Sequence, residues 1–264
     1  MFTNRLPIAK MAGAVVALAA VISAVMLSIN WNGAEDSTAA PKIDDLMNIM
    51  IVLSSIVFAI VVVALAYALI AFRAKPGDES DGEPIHGNTR LEIAWTVIPT
   101  IIVLFGAAYS WIVLDEIEAK EPDSMRVDVF AQQFAWSFGY PGKGNVWNEG
   151  ELHVPVDRQI QFKLHGMDVI HSFWVPEWRI KKDAVPGITT TATVTPDRVG
   201  TYQLICTELC GFGHATMRAN VVVEKPADFR KWVDGLNTKI PSYLLKAIDE
   251  NAEVETQPIG AGGA

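Results

Sequence analysis

Both cysteines of the chain lie in one short stretch, ICTELCGFGHATM at residues 205–217. Cys206 and Cys210 are four apart, His214 follows four later and Met217 three beyond that. Two thiols, an imidazole and a thioether form a soft donor set, and soft sulfur with imidazole suits copper. A disulfide is the competing use of the two thiols. It would close a very small loop and constrain the unfolded chain little. The four-residue spacing would align Cys206, Cys210 and His214 along one face of a helix. Gly211 and Gly213 disfavour that helix, so a loop between strands is expected, and a loop can wrap a metal ion. A further imidazole, His171, stands thirty-five residues upstream in DVIHSFWVP. No C-x-x-C-H occurs, so no c-type haem is attached to this chain.

The elements that must hold these groups are strands. Gln159 to Leu164 and Arg126 to Phe130 alternate polar and apolar residues. The run 188–195 is rich in threonine and valine, and 219–223 is a short apolar run. Turns are marked by Pro141-Gly142, Pro186-Gly187 and Pro196-Asp197. Gly200 to Ile205 leads into the cysteine loop and Ala219 onward leads out. Many short strands in about 100 residues argue for a β-sandwich or barrel. After Pro226 a short helix is expected with Phe229, Trp232, Val233 and Leu236 on one face. The Gly/Ala-rich end from about Asn251 is expected to be disordered.

Upstream the chain changes character. It is 50% hydrophobic with a positive mean hydropathy, too oily for an ordinary soluble protein and too polar for a pure membrane bundle, which predicts a split into membrane and aqueous parts. Residues 11–29, 46–72 and 93–114 lack charge for long enough to cross about 30 Å of hydrocarbon. The first, preceded by Arg5 and Lys10, reads equally as a signal peptide with a small-residue cleavage site at Ser37-Thr38-Ala39. Arg73, Lys75 and Arg90 flank the short loop between the other two spans and assign it to the cytoplasm. Everything after Leu114 then lies outside.

On these residues the chain resembles subunit II of the haem–copper cytochrome c oxidases, in its bacterial, CuA-bearing form. The resemblance runs from about Leu46 to Lys231. It is carried by His171-Ser172-Phe173…Val175-Pro176, Lys182-Asp183-Ala184…Pro186-Gly187, Gly200…Tyr202, Cys206…Glu208…Cys210-Gly211…Gly213-His214 and Met217, and by Glu92…Trp95-Thr96…Pro99. It implies a membrane-anchored all-β protein: a transmembrane helical hairpin (40–120) followed by a cupredoxin-like sandwich (121–225). A signal peptide or additional helix (1–39) precedes them, and a short helix with a flexible tail (226–264) follows. It implies two copper ions in a CuA centre. Cys206 and Cys210 would bridge both, His171 and His214 would each bind one, and Met217 and the Glu208 carbonyl would be weak ligands.

Further roles follow from the same resemblance. The family's Gln-Trp-x-Trp segment, whose first Trp admits electrons, reads here Gln133-Phe134-Ala135-Trp136, which makes Phe134 and Trp136 the electron-admission residues. Asp168 is expected at the donor's docking face. The Glu208 carboxylate would bind Mg²⁺ at the junction with the haem-bearing subunit I, and Glu92 would mark the entrance of a proton channel. Asp183, beside Lys181 and Lys182, reads as a surface salt bridge. His153 and His165 read as surface or turn residues. Between Asp115 and Glu224 fifteen acids face ten Lys and Arg, a mild excess compatible with steering a basic donor. The implied partners are subunits I and III, cytochrome c and the lipid bilayer, with no nucleic acid. The implied location is a bacterial plasma membrane, sandwich outward. The whole complex would oxidise cytochrome c, reduce O₂ to water and pump protons. A membrane-tethered copper-binding or delivery protein is the alternative.

Overall fold

The charge-free stretches become three long helices in the computed structural model, which describes residues 8–74, 76–77, 84, 86–141, 146–236 and 239. They are α1 (Ile8–Ser28), α2 (Ala40–Ala71) and α3 (Thr89–Glu118). All three are long and apolar enough to cross a membrane. At 1.5 Å per residue even the 21-residue α1 spans about 30 Å. The start of α3 is capped reciprocally: Asn88 Oδ1 accepts the Leu91 N–H at 3.2 Å and Glu92 Oε1 accepts the Asn88 N–H at 3.1 Å. Pro99, inside α3, cannot donate to the carbonyl four residues back.

The chain divides into two compact units. One holds the helices through Trp31 and from Asp44 to Val113. The other holds Asn32–Ile43 and everything from Leu114 onward. Its strands are β1 (Met125–Gln132), β2 (Ala135–Tyr140), β3 (Val146–Glu149), β4 (Glu151–Pro155), β5 (Ile160–Gly166), β6 (His171–Val175), β7 (Ile180–Ala184), β8 (Thr189–Val194), β9 (Gly200–Cys206) and β10 (Arg218–Glu224). They form two five-stranded sheets, β3-β2-β1-β5-β8 and β4-β10-β9-β6-β7. Antiparallel pairs dominate, with parallel β1–β5 and β4–β10 pairs closing the topology. The result is the cupredoxin-like sandwich expected. Its core is Val127, Val129 and Ala131 of β1, Trp136 and Phe138 of β2, Phe162 and Leu164 of β5, Phe173 of β6, Leu204 of β9 and Val221 of β10. Each fully buried large side chain stabilises the fold by about 1.5–3 kcal/mol relative to exposure. Helix α4 (Pro226–Asp234) buries Phe229 and Val233, with Trp232 and Leu236 packed alongside, as the pattern predicts.

Segment 32–43 is built into this unit. Asp36 N–H donates to Glu177 O at 3.0 Å and Thr38 N–H to Thr195 O at 3.0 Å. Ser37 is buried; its hydroxyl donates to Trp178 O at 3.0 Å and accepts the Ala40 N–H at 3.2 Å, capping α2. At the outer end of α3, Gln159 takes the Glu121 N–H and donates to Ala119 O, both at 2.8 Å.

Two histidines depart from expectation: His153 and His165 are buried, not surface residues. His165 Nε2 lies 3.0 Å from the buried Asp128 carboxylate, which Arg126 also engages. His153 stacks on Trp232 with ring centroids 3.8 Å apart and has Nδ1 2.8 Å from Glu224. Partners on neighbouring strands make burial of both rings tolerable. The expected disorder of the tail from about Asn251 lies outside the described residues, as does Gly142 of the expected Pro141-Gly142 turn.

Candidate metal centre

Strand pairing brings His171 to the cysteines. β6 opens on His171, β9 closes on Cys206, and the two run antiparallel with Phe173 opposite Cys206. Thr207 N–H donates to Ser172 O at 3.2 Å and Cys206 N–H to Met217 O at 3.1 Å, tying the mouth of the loop shut. The loop then turns back through a short 3₁₀ segment, His214–Thr216, into β10. It is a loop between two strands, as Gly211 and Gly213 predict.

Five side chains and one carbonyl converge there. Cys206 and Cys210 are free thiols, buried, with sulfurs 3.9 Å apart. His171 Nδ1 is 3.9 Å from Cys206 Sγ, and His214 Nδ1 is 3.6 Å from Cys210 Sγ. Met217 Sδ is 3.8 Å from Cys210 Sγ, and the Glu208 carbonyl is 3.4 Å from Cys206 Sγ. His171, Cys206 and Cys210 alone already place three donor atoms close enough for one ion. The set fits copper by the chemistry of its donors: two sulfurs at the centre, an imidazole on each flank, a thioether and a carbonyl at the margin. Burial pushes the Cys210 thiol up to about 11, and neighbouring Cys206 adds to the rise. A cation bound at this sulfur would take the place of its proton.

Asp168 sits where it can govern His171. Its Oδ1 accepts from His171 Nε2 at 2.8 Å and from the Val169 N–H at 2.7 Å; Oδ2 accepts the Gln133 N–H at 2.7 Å. A carboxylate is acceptor-only, so Nε2 carries the imidazole proton and Nδ1 keeps its lone pair toward the sulfurs. Partial burial works against ionisation of Asp168. The Gln133 amide, the His171 ring and the Val169 amide outweigh it and hold the carboxyl below its ordinary range.

Phe134 and Trp136 part company. Trp136 is 1% exposed, a core residue edge-on to His171 with ring centroids 6.2 Å apart. Phe134 is 39% exposed and packs on the loop itself. A Cβ on Gly213 would lie 2.5 Å from the Phe134 ring, and one on Gly211 3.2 Å from it and 2.7 Å from Gln133 Nε2. Phe212 and Leu209 project into solvent at 106% and 79% exposure. The Glu208 side chain is exposed beside them. Glu92 belongs to the helical unit, in the first turn of α3. Asp183 pairs with Lys181 at 3.1 Å on the surface, as expected. Gln133, whose side chain donates to the Cys210 carbonyl, escaped the sequence reading. Its place just before the aromatic pair was the available signal.

Residues 146–225 match the family described as cytochrome c oxidase subunit II, periplasmic domain, and residues 24–113 match its transmembrane domain. Cytochrome c oxidase subunit 2 of Thermostichus vulcanus is 34% identical over 74% of this chain and 75% of its own length. That of Synechocystis sp. is 32% identical over 85% of this chain and 83% of its own. Among solved structures, the periplasmic domain of subunit II of cytochrome oxidase from Bradyrhizobium japonicum aligns at 28% identity. It covers 45% of this chain and 96% of that one, with a TM-score of 0.43. With its apolar helices, its outer sandwich and its cluster of sulfur and imidazole donors, the chain belongs to the cytochrome c oxidase subunit II family.

Proposed function

We propose that this chain is the subunit that receives electrons in a proton-pumping cytochrome c oxidase of the bacterial plasma membrane, with its sandwich on the outer face. The observation that carries the reading is the donor cluster, in which two thiols, two imidazoles, a thioether and a carbonyl stand in contact at distances of 3.4–3.9 Å. Cys206 and Cys210 would bridge two copper ions, His171 and His214 would hold one each, and Met217 and the Glu208 carbonyl would be weak ligands. When bound, the copper pair supplies a one-electron store whose charge is shared over two nuclei, so that little rearranges on reduction.

The residues of the chain prepare that chemistry. Asp168 fixes the tautomer of His171. The β6–β9 pairing and the Cys206–Met217 hydrogen bond hold the mouth of the loop rigid. Phe134 offers the donor an exposed ring in contact with the loop, while buried Trp136 lies behind His171 and serves the inner side. With Phe134, Val169, Ile170, Leu209 and Phe212 all exposed, the centre of the docking face is apolar. Asp168, engaged by three N–H groups, acts on the imidazole more than on the donor.

The remaining assignments complete the oxidase reading. The Glu208 carboxylate, a hard oxygen donor at the loop's outer edge, would take Mg²⁺ at the junction with haem-bearing subunit I, with subunit III completing the assembly. Glu92 would admit protons on the cytoplasmic side. Glu92→Gln tests this cleanly, because glutamine keeps an acceptor for the Asn88 N–H and so preserves the cap. Slower turnover with intact copper supports the channel; unchanged turnover removes it.

A quinol oxidase subunit would share the helices and sandwich but lack the ligand set. A copper-delivery protein would have the ligands but no haem partner. Purification of the complex, with absorption and EPR spectra, decides among them. A mixed-valence copper signal copurifying with haem supports the oxidase reading. Cytochrome-driven oxygen consumption that survives Cys206→Ser defeats it.

A further inference from the structure

Gln133 is joined to both halves of the donor cluster, yet the copper reading gives it no task. It lies in the short turn between β1 and β2. Its backbone N–H donates to Asp168 Oδ2 at 2.7 Å, and the other oxygen of that carboxylate holds His171. Its side-chain Nε2 donates to the carbonyl of Cys210. The next residue, Phe134, lies over both glycines: a Cβ on Gly213 would meet its ring at 2.5 Å, and one on Gly211 would meet the ring at 3.2 Å and Gln133 Nε2 at 2.7 Å.

Within the loop, the turn from Cys210 to Thr216 has few bonds of its own. His214 N–H donates to Gly211 O and Thr216 N–H to Gly213 O, each at 3.1 Å, and the Thr216 hydroxyl donates to Gly213 O at 2.9 Å. Two glycines in five residues make this turn the most freely jointed part of the centre. Phe212, fully exposed, anchors nothing. The turn is therefore held from outside, by one amide and one ring that are adjacent in sequence.

We propose that Gln133 is a positioning residue for the electron-accepting centre: its side-chain amide pins the Cys210–His214 turn beneath Phe134 and keeps His214 beside Cys210 before metal arrives. The proposal rests on the copper reading of the cluster. Its physical content is preorganisation. A turn that opens part of the time presents the complete donor set for only a fraction of the time, and apparent metal affinity falls by that fraction.

The test uses the full chain with Gln133→Leu and Gln133→Glu. Leucine keeps bulk but offers no donor; glutamate sets an acceptor against the Cys210 carbonyl. Hydrogen exchange of the metal-free protein reads the opening of the turn directly. One lost hydrogen bond predicts about two- to tenfold faster exchange of the His214 and Thr216 amides in the leucine variant, and more in the glutamate variant. Val221 and Tyr202, paired across β9 and β10, report global stability and should not change. Copper stoichiometry should stay at the wild-type value, and affinity should fall only as far as the closed fraction of the turn falls. Exchange at the wild-type rate in both variants overturns the proposal. A rise that extends equally to Val221 and Tyr202 also overturns it, because the role would then be general stability. Failure of the copper reading would show separately, as a wild-type chain that does not bind two copper ions.

Discussion

Asp168→Asn separates two roles for one carboxylate. Asp168 accepts three N–H groups, from His171, Val169 and Gln133. Asparagine offers one oxygen and one NH₂ in the same volume. If the oxygen faces His171 and Val169, the NH₂ meets the Gln133 N–H and one bond is lost. If it faces Gln133, two bonds are lost and His171 is driven toward the opposite tautomer. The first orientation is favoured, and its loss is a hydrogen bond to a charged acceptor, about 1.5–3 kcal/mol when buried. Side-chain exposure of 33% lets water replace part of that bond, so about 1 kcal/mol is the expected loss of stability. The imidazole keeps its tautomer but leans on a neutral acceptor, and loss of such a partner lowers metal affinity about 10–100-fold. Copper affinity measured by chelator competition, alongside urea unfolding of the metal-free protein, tests both figures. A docking charge would behave otherwise: copper affinity and stability would hold, and the salt dependence of reduction by cytochrome c would flatten. That second pattern would refute the positioning argument.

Other perturbations have outcomes set by the same geometry. Gly213→Ala pushes a Cβ to 2.5 Å from the Phe134 ring; the ring must lift from the loop at about 1–3 kcal/mol, read by the urea midpoint and by slower reduction from a protein donor. Gly166→Ala meets Ala184 O at 2.7 Å and Pro186 N at 2.8 Å. These are backbone atoms that cannot swing aside, so its unfolding midpoint should fall further than that of Gly213→Ala. With its pKa raised to about 11, the Cys210 thiol is protonated at neutral pH. Copper loading should therefore release the Cys210 proton and tighten as pH rises, as calorimetry in buffers of different ionisation enthalpy will report.

The donor cluster was legible because most of it is local. Cys206, Glu208, Cys210, His214 and Met217 fall within twelve residues, and two glycines announce a loop. His171 is visible in the sequence as a further imidazole, but its role as a ligand follows only from resemblance, since its closeness to Cys206 comes from the pairing of β6 with β9, and no spacing rule encodes which strands become neighbours. The helices were legible from charge-free length alone. The same logic explains Gln133. A glutamine in a polar turn is indistinguishable by type from any solvated residue until the carbonyl it reaches, seventy-seven positions away, is known.

The two misplaced histidines share a cause as well. His153 and His165 read as surface residues because a lone imidazole in a strand carries no sign of its partner. Burial was made tolerable by Glu224 and Asp128, on strands adjacent only in space. Ser37-Thr38-Ala39 read as a cleavage site because small residues downstream of an apolar run are what a signal peptidase needs. Small size serves a second purpose here. Ser37 and Ala40 are completely buried, and only compact side chains let the segment approach Trp178 and Thr195 closely enough for backbone bonds. The composition that invites cutting is the one that permits docking, so local sequence cannot separate the two. The amino-terminal sequence of the mature protein does: a start at Ala40 would strip the Asp36, Ser37 and Thr38 bonds from the sandwich, whereas a start at or before Asn32 keeps every one of them.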